Sequence, residues 1–222
     1  MSGLVVCDGP RRYDRDVLEM ARVELCRVDA GLRGIVGVVG PCVLPTRSRM
    51  DHLTALIRSI VFQQLSGKAA STIFGRVMGL VVSRAQASDY LAVSDEAYRA
   101  AGLSRQKIGY LRDLCAKVAD GTLRLSRIGG LADEDVERAL TQVRGFGRWS
   151  AHMFLLFQLR RCDVWPMDDL GIRKALQLVD GREELPKVKE VALRGDVWRP
   201  YRSVASWYLW RSLEAGIPSD FV

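Results

Sequence analysis

The sequence has few residues of the kinds that build metal and redox centres. It contains only two histidines, His52 and His152, and five cysteines that form no Cys-x-x-Cys pair. A structural zinc site or an iron–sulfur cluster needs such ligands close together, so the pattern argues against both. Dispersed cysteines in odd number are typical of reduced thiols in a cytosolic protein. We therefore expect no metal held by side chains and no cofactor.

Long apolar runs are also lacking. The most apolar stretch, Ile35 to Leu44, is short and is interrupted by two glycines and a proline, whereas a membrane helix needs about 18 apolar residues. The charged residues between Asp8 and Asp16 leave no apolar core for a signal peptide. We therefore expect a cytoplasmic protein with no membrane partner.

The composition is that of a packed globular protein, with 48% hydrophobic and 27% charged residues. The 222 residues allow one large or two small domains. Lysine and arginine exceed aspartate and glutamate by 33 to 26, a formal net charge of +7. Such an excess favours a polyanionic partner, although an arginine-rich composition can also reflect a GC-rich genome.

Apolar residues recur at helical spacing along almost the whole chain, which predicts an all-α fold. One apolar stripe extends from Val17 to Leu32 and a second from Leu53 to Ile60. Serines at helix N-terminal positions predict the starts of three further helices, at Ser66, Ser94 and Ser104. Later helices are expected over 132–143, 148–159, 170–179 and 201–213, and one short element of another kind near 36–43.

One segment carries more chemical information than the rest, namely Leu140-Thr-Gln-Val-Arg-Gly-Phe-Gly-Arg-Trp-Ser-Ala-His-Met-Phe154. The pattern predicts a helix, a tight turn at Gly145-Phe146-Gly147 and a second helix. Such a turn can direct backbone amides outward at the N-terminus of the second helix, which is a phosphate-binding arrangement. Phe146 would anchor the turn in the core, with Arg144 and Arg148 on either side. A plain turn between two helices has the same spacing, so both interpretations stay open.

Two adjacent carboxylates follow that second helix, in Asp163-Val-Trp-Pro-Met-Asp-Asp-Leu-Gly-Ile-Arg-Lys174. Pro166 interrupts the chain, and Asp168 and Asp169 lie where another helix begins. Capping of the helix N-terminus accounts for one of the two carboxylates. The other is a candidate to point into a cleft.

A helix-hairpin-helix followed about twenty residues later by an aspartate resembles the helix-hairpin-helix (HhH-GPD) DNA glycosylase superfamily. Within it, the chain is most similar to the DNA-3-methyladenine glycosylase II (AlkA-type) branch. Three other segments are similar to the family's DNA-wedge loop, to the loop and helix after it, and to its C-terminal helix; they are 58–66, 102–111 and 198–210. The resemblance extends from about Asp16 to Leu213.

The resemblance implies roles for particular residues. Asp169 matches the catalytic aspartate, because Ile172 and Lys174 fall where the family motif continues, and Asp168 is left as a cap or helper. The residues that match the phosphate-gripping hairpin are Gly145, Phe146, Gly147 and Arg148. In some relatives a monovalent ion binds the hairpin backbone.

The resemblance also implies a base pocket and a wedge. Trp210 matches an aromatic residue that lines the pocket, and we assign Trp149, Trp207 and Met153 to the same pocket. Tryptophans are also typical core residues, Trp207 above all. The residue that fills the gap left by a flipped nucleotide is Gln64 or Leu65, and the nearby Arg105 and Lys107 are candidates for phosphate contacts or solvated side chains.

The activity implied is that of a monofunctional DNA glycosylase of base excision repair. Such an enzyme flips out alkylated purines such as 3-methyladenine and hydrolyses their N-glycosidic bond. Bifunctional relatives have a lysine two residues after the second hairpin glycine, where this chain has Trp149, so no Schiff base and no AP lyase activity are expected. A non-catalytic helix-hairpin-helix DNA-binding protein and a bifunctional glycosylase/AP lyase for oxidised bases are the two alternatives.

The implied architecture is two helical lobes with a DNA-binding cleft between them. Residues 51–161 would form the lobe that contains the hairpin, and residues 1–50 with 162–222 the lobe that carries Asp169. The expected partner is double-stranded DNA containing damaged bases. We expect a monomer, nucleoid-associated if the source is bacterial.

Overall fold

The computed structural model describes residues 12–46, 50–65 and 67–215. Over these ranges every regular element is helical, and the one β-type pairing is an isolated antiparallel bridge between Arg12 and Arg161. The prediction of an all-α fold is therefore confirmed. None of the helices in this part of the chain is long and apolar enough to cross a membrane.

The helices are numbered here in chain order. They are α1 (Arg15–Val28), α2 (Ala30–Val39), α3 (His52–Phe62), α4 (Gly67–Met78), α5 (Ala87–Ala92), α6 (Asp95–Ala101), α7 (Arg105–Ala119), α8 (Leu125–Ile128), α9 (Asp133–Thr141), α10 (Arg148–Met153), α11 (Leu170–Val179), α12 (Val188–Arg194) and α13 (Arg202–Glu214). A π-helical turn, Phe154–Gln158, follows α10, and a 3₁₀ turn, Gly195–Trp198, follows α12.

The described residues form two compact units. The first comprises those of Met1–Ser48 and Leu155–Val222, and the second comprises Arg49–Phe154. The predicted lobes were bounded at 51 and 161, so the segment 155–161 belongs to the first unit instead of the second. It is tied there because Tyr13 donates its hydroxyl to the Leu156 carbonyl and its amide to the Arg160 carbonyl, at 2.7 and 2.9 Å.

In the first unit, α13 packs against α11, α2 and α1. Its central residues, from Ser203 to Leu209, are all buried, so α13 is the core helix of this unit. In the second unit, α7 packs against α3, α5 and α6, while α9 and α10 pack against each other. Helix α7 is therefore the element that α3, α5 and α6 share.

The apolar stripe from Val17 to Leu32 does not form one helix, because Asp29 divides it into α1 and α2. The Asp29 side chain caps α2 by accepting from the Leu32 amide at 3.0 Å. It also accepts from the Trp198 indole N–H at 2.9 Å and pairs with Arg194 at 2.6 Å. Burial alone would raise the pKa of this carboxyl, but the hydrogen bonds from Leu32 and Arg194 outweigh burial and lower it.

Local signals predict most helix limits well. Ser94 and Ser104 cap α6 and α7 by accepting from amides three residues later, and the predicted helix 170–179 has the bounds of α11. Ser66 lies outside the described residues. The short element expected near 36–43 is not formed, because residues 36–39 end α2 and residues 40–43 are irregular. Three short helices and the 3₁₀ turn are not predicted by the sequence, namely α5, α8, α12 and Gly195–Trp198.

Candidate nucleic-acid interface and active site

The hairpin, residues 144–147, joins α9 to α10 as the glycine spacing predicts. Gly145 has a φ of +83°, a left-handed conformation that favours glycine, and the Phe146 side chain is buried. Phe146 donates its amide to the Val143 carbonyl at 3.0 Å, which closes the turn. Gly147 is the N-cap of α10 in an extended conformation and supplies no side-chain cap. The turn is thus pinned from inside by Phe146, as expected.

Helix α7 supports the hairpin from one side. A Cβ atom at Gly145 would lie 2.2 Å from Cδ2 of Tyr110, so the Tyr110 ring packs directly on the hairpin backbone. The Arg144 amide donates to Oδ2 of Asp113 at 2.8 Å. Gly145 is therefore required both by its backbone conformation and by the close approach of Tyr110.

Arg144, the first residue of the hairpin, and Arg148, which follows it, are both exposed. Arg148 Nε lies 3.3 Å from Oε1 of Glu137, and Oε2 of the same carboxylate lies 3.2 Å from His152 Nε2. Glu137 therefore contacts a side chain at each end of α10. An exposed pair of this kind adds little stability, which leaves Arg148 available for a phosphate.

Three backbone carbonyls in and just before the hairpin already accept hydrogen bonds. Those of Val143, Gly145 and Gly147 accept from Phe146, Gln63 and Ala151 at 3.0 to 3.2 Å. A carbonyl oxygen has two lone pairs, so this engagement does not prevent weak cation coordination. The monovalent ion at this backbone stays a prediction.

The wedge turn, residues 62–65, follows α3. Gln63 has φ −53° and ψ 128° and Gln64 has φ +56°, while the Leu65 amide donates to the Phe62 carbonyl at 3.3 Å. These values match a type II turn, whose third position normally holds glycine or asparagine. Gln64 therefore stores backbone strain of about 1–3 kcal/mol. Such strain is typical of functional sites, and both Gln64 and Leu65 are exposed.

Both roles considered for Lys107, a solvated side chain and a phosphate contact, are wrong, because its ammonium is engaged by the protein backbone. Its Nζ donates to the carbonyls of Val61 and Gln63, each at 2.7 Å. These carbonyls lie at the C-terminal end of α3, where backbone acceptors have no partner within the helix. Burial lowers the pKa of Lys107. Arg105 is exposed and stays a candidate for phosphate contact.

Asp169, in the first unit, is the N-cap of α11. Its Oδ1 accepts from the Ile172 amide at 2.8 Å and from the Trp210 indole N–H at 2.9 Å. The cap role considered for Asp168 thus belongs to Asp169, and the Asp168 side chain is exposed. The helix N-terminus and the indole together hold the Asp169 carboxylate in one orientation.

An aromatic pair stands beside this carboxylate. Trp210 stacks on Phe157 with ring centroids 6.1 Å apart and an interplanar angle of 23°. Phe157 is 40% exposed. Phe157 is not among the residues predicted for the pocket, because the π-helical turn at 154–158 changes which side of the chain each residue faces.

The other pocket candidates have different surroundings. Trp207 is only 7% exposed and packs edge-to-face on Tyr208, which favours the core interpretation. Trp149 and Met153 lie on α10 in the second unit, with Trp149 46% exposed and Met153 half-buried. Their assignment to the base pocket stays a prediction.

Residues 57–200 match the family model for the HhH-GPD superfamily of base excision DNA repair proteins. The matched residues include the wedge turn, the hairpin and Asp169. The chain belongs to the HhH-GPD superfamily.

Relatives in the HhH-GPD superfamily resemble this chain over most of its length. It is 32% identical to DNA-3-methyladenine glycosylase 1 of Schizosaccharomyces pombe, over 88% of this chain and 87% of that protein. The crystal structure of a DNA-3-methyladenine glycosidase from Bacillus halodurans superposes with a TM-score of 0.78 and 35% identity, covering 93% of both chains. A structure of S. pombe 3-methyladenine DNA glycosylase (Mag1) in complex with abasic DNA superposes with a TM-score of 0.78 and 30% identity, covering 88% and 97%.

Proposed function

We propose that this chain is a monofunctional DNA glycosylase that hydrolyses the N-glycosidic bond of alkylated purines such as 3-methyladenine in duplex DNA. The observation that carries the proposal is the Asp169 carboxylate, held by a helix N-terminus and by Trp210 beside an aromatic pair. Membership in the HhH-GPD superfamily and the names of the relatives support it.

The two units supply different parts of this function. The second unit supplies the hairpin, for gripping a DNA phosphate, and the wedge turn, for filling the gap left by the extruded nucleotide. A base inside the duplex must be rotated out before any group can reach C1′, so both parts serve base flipping. The first unit supplies Asp169 and the aromatic pair. The cleft between two lobes stays a prediction.

The chemistry needs a fixed anion more than it needs an acid. Alkylation at N3 or N7 gives the purine a positive charge, so the bond from C1′ to N9 can break with its electrons leaving on the base. The sugar develops positive charge, which the Asp169 carboxylate stabilises while water adds to C1′ and releases one proton to solvent. Trp210 and Phe157 present ring surface that attracts a cationic base by stacking and cation–π contact, about 0.5–2 kcal/mol for each ring.

The reaction ends at base release because no amine stands at the position used for a Schiff base. That position is Trp149, on the first turn of α10. The partner in this function is duplex DNA containing damaged bases. Action as a monomer without a cofactor, in the cytoplasm and near the nucleoid if bacterial, stays a prediction.

The test is base release from duplexes that contain 3-methyladenine, uracil, hypoxanthine or an oxidised purine. We expect release of the methylated purine to exceed release of the oxidised purine by about a hundredfold, because only the former leaves as a neutral base. Borohydride added during turnover is expected to trap no protein–DNA adduct. Salt-sensitive binding without any base release would instead identify a DNA-binding module, and a trapped adduct a lyase.

Gly171 provides a second test, since it leaves room for the bond between Asp169 and Trp210. A Cβ at Gly171 would lie 2.9 Å from Oδ1 of Asp169 and 3.1 Å from Cδ1 of Trp210. Gly171→Ala is expected to slow single-turnover base release about tenfold or more by displacing both groups. The melting temperature should change little, because the preference of a helix for alanine over glycine, about 1 kcal/mol, is offset by the disturbed cap bond between Ile172 and Asp169.

Gly75→Ala is the matched control for Gly171→Ala. Gly75 lies within α4, and a Cβ there would meet nothing within 4 Å. We expect this variant to keep the wild-type rate and a similar or higher melting temperature. A Gly171→Ala protein that releases base at the wild-type rate would show that the geometry around Asp169 is not critical.

A further inference from the structure

A residue of α7 holds the backbone of the wedge turn by hydrogen bonds. Lys107 places its ammonium against the carbonyls of Val61 and Gln63, both at 2.7 Å. The cation neutralises the partial negative charge at the end of α3 and fixes the peptide that precedes Gln64. Phe62, at the start of the turn, packs edge-to-face on Phe74 and has the Arg58 guanidinium 3.8 Å above its ring. The three residues that precede the strained Gln64 are therefore each held by contacts with side chains outside the turn.

The same face of α7 also holds the hairpin. Lys107, Tyr110 and Asp113 follow each other at intervals of three residues, which places them along one side of the helix. Tyr110 packs on Gly145, and Asp113 accepts from the Arg144 amide at 2.8 Å. One rigid helix face thus contacts both the wedge turn and the hairpin.

A direct hydrogen bond joins the two turns as well. Gln63 donates its side-chain amide Nε2 to the Gly145 carbonyl at 3.0 Å, although the residues are 82 positions apart in the chain. Both the backbone and the side chain of Gln63 therefore form hydrogen bonds: its carbonyl accepts from Lys107, and its side-chain amide donates to the hairpin. Lys107 thus contacts Gln63, Gln63 contacts Gly145, and Gly145 packs on Tyr110 of the same helix as Lys107.

We propose that Lys107 and Gln63 are positioning residues that fix the wedge turn relative to the hairpin, so that phosphate gripping and gap filling occur as one step of base flipping. The inference rests on the proposed function and adds the residues that couple its two DNA-contacting turns. Neither side chain needs to touch DNA for this role. Without Lys107, the Gln64 backbone can relax from its left-handed conformation and the wedge is no longer presented at a fixed place.

The first measurement follows wedge insertion without any chemistry. The probe is a duplex with a tetrahydrofuran abasic analogue and 2-aminopurine as the opposite base. Wild-type protein is expected to change the 2-aminopurine fluorescence on binding. Lys107→Met and Gln63→Met are expected to bind this duplex, with a fluorescence change of about half the wild-type value or less at saturation, because the gap is filled less often.

The second measurement separates flipping from a general loss of structure. Base release is compared between a duplex with a paired lesion and one in which the lesion stands in an unpaired bulge. Extrusion costs least when the base is already unpaired, so a defect in wedge placement should matter mainly for the paired lesion. We expect Lys107→Met to slow release about tenfold in the first duplex and about twofold or less in the second.

Arg112→Met is the matched control on the same helix. Arg112 donates to the carbonyls of Leu91, in the last turn of α5, and Val93, the C-cap of α5. It is therefore also a cation at a helix C-terminus, but it contacts neither turn. This variant is expected to lower the melting temperature while keeping the wild-type ratio between the two duplexes. Lys107→Arg, which keeps a cationic donor, should restore most of the fluorescence change.

The outcomes decide the inference separately from the proposed function. Equal slowing of both duplexes by Lys107→Met and Gln63→Met, with a wild-type fluorescence change, would overturn the coupling. If wild-type protein binds the abasic duplex but releases no base, the proposed function fails. The 2-aminopurine fluorescence of the variants still shows whether Lys107 and Gln63 position the wedge turn. Absence of binding by wild-type protein would overturn both. Should Lys107→Met fail to fold, Gln63→Met supplies the same comparison.

Discussion

Replacing Asp169 by asparagine is expected to reduce base release by at least about a thousandfold, because the anion that stabilises the developing sugar cation is removed. Asparagine caps a helix as well as aspartate does, and its Oδ1 can still accept from Ile172 and Trp210. The variant should therefore fold, melt within about 3 °C of wild type and bind abasic duplex with similar affinity. Single-turnover assays and binding titrations check these expectations.

Asp168→Asn is the natural control, since it removes the same charge one residue earlier. The Asp168 side chain is exposed and is not the cap of α11. We expect its base-release rate to stay within about twofold of wild type, because an exposed carboxylate is screened by solvent. If Asp168→Asn were inactive and Asp169→Asn active, the catalytic role would belong to Asp168.

Replacing Gly145 by alanine is expected to destabilise the protein by about 3 kcal/mol or more, through a strained backbone and a steric clash. The φ of +83° is unfavourable for alanine, and the new Cβ would lie 2.2 Å from the Tyr110 ring. For a chain of this size the loss corresponds to a melting temperature lower by roughly 6–12 °C. Binding to abasic duplex should weaken with it, because the hairpin backbone can no longer take its shape.

Gly147→Ala separates DNA contact from folding. Gly147 has φ −104° and ψ −179°, which alanine tolerates, and a Cβ there would meet no protein atom within 4 Å. Its stability cost should be at most about 1 kcal/mol, the difference between glycine and alanine as N-caps. If the hairpin backbone approaches a phosphate, affinity for abasic duplex should still fall about tenfold. Wild-type affinity in Gly147→Ala would place the DNA elsewhere.

Much of the candidate site follows from short-range patterns. The spacing of Gly145 and Gly147 predicts the hairpin, and the acidic pair before an apolar helix predicts the start of α11. Both signals depend on residues three or four positions apart, so the residue types alone indicate the capping bond or the turn. The family resemblance then assigns chemistry to these residues, which spacing alone does not do.

Lys107 and Phe157 show where such patterns stop. Beside a wedge motif, a lysine on an amphipathic helix is a candidate for DNA contact or solvation, yet Lys107 is directed to carbonyls 44 and 46 positions away. Phe157 follows α10 in an apolar segment and is typical of a core residue. The π-helical turn shifts its direction, and it stacks on Trp210 instead.

The sequence alone predicts that this chain is helical, that a tight turn at Gly145–Gly147 joins two helices, and that one of two adjacent aspartates caps α11. The hydrogen bonds from Trp210 to Asp169, 41 positions apart, and from Gln63 to Gly145, 82 positions apart, are visible only once the chain is folded. The two kinds of interaction differ in their range along the chain. Capping and helical periodicity are set by neighbours within one turn, whereas the direction of a side chain toward a distant partner is fixed only when the helices pack.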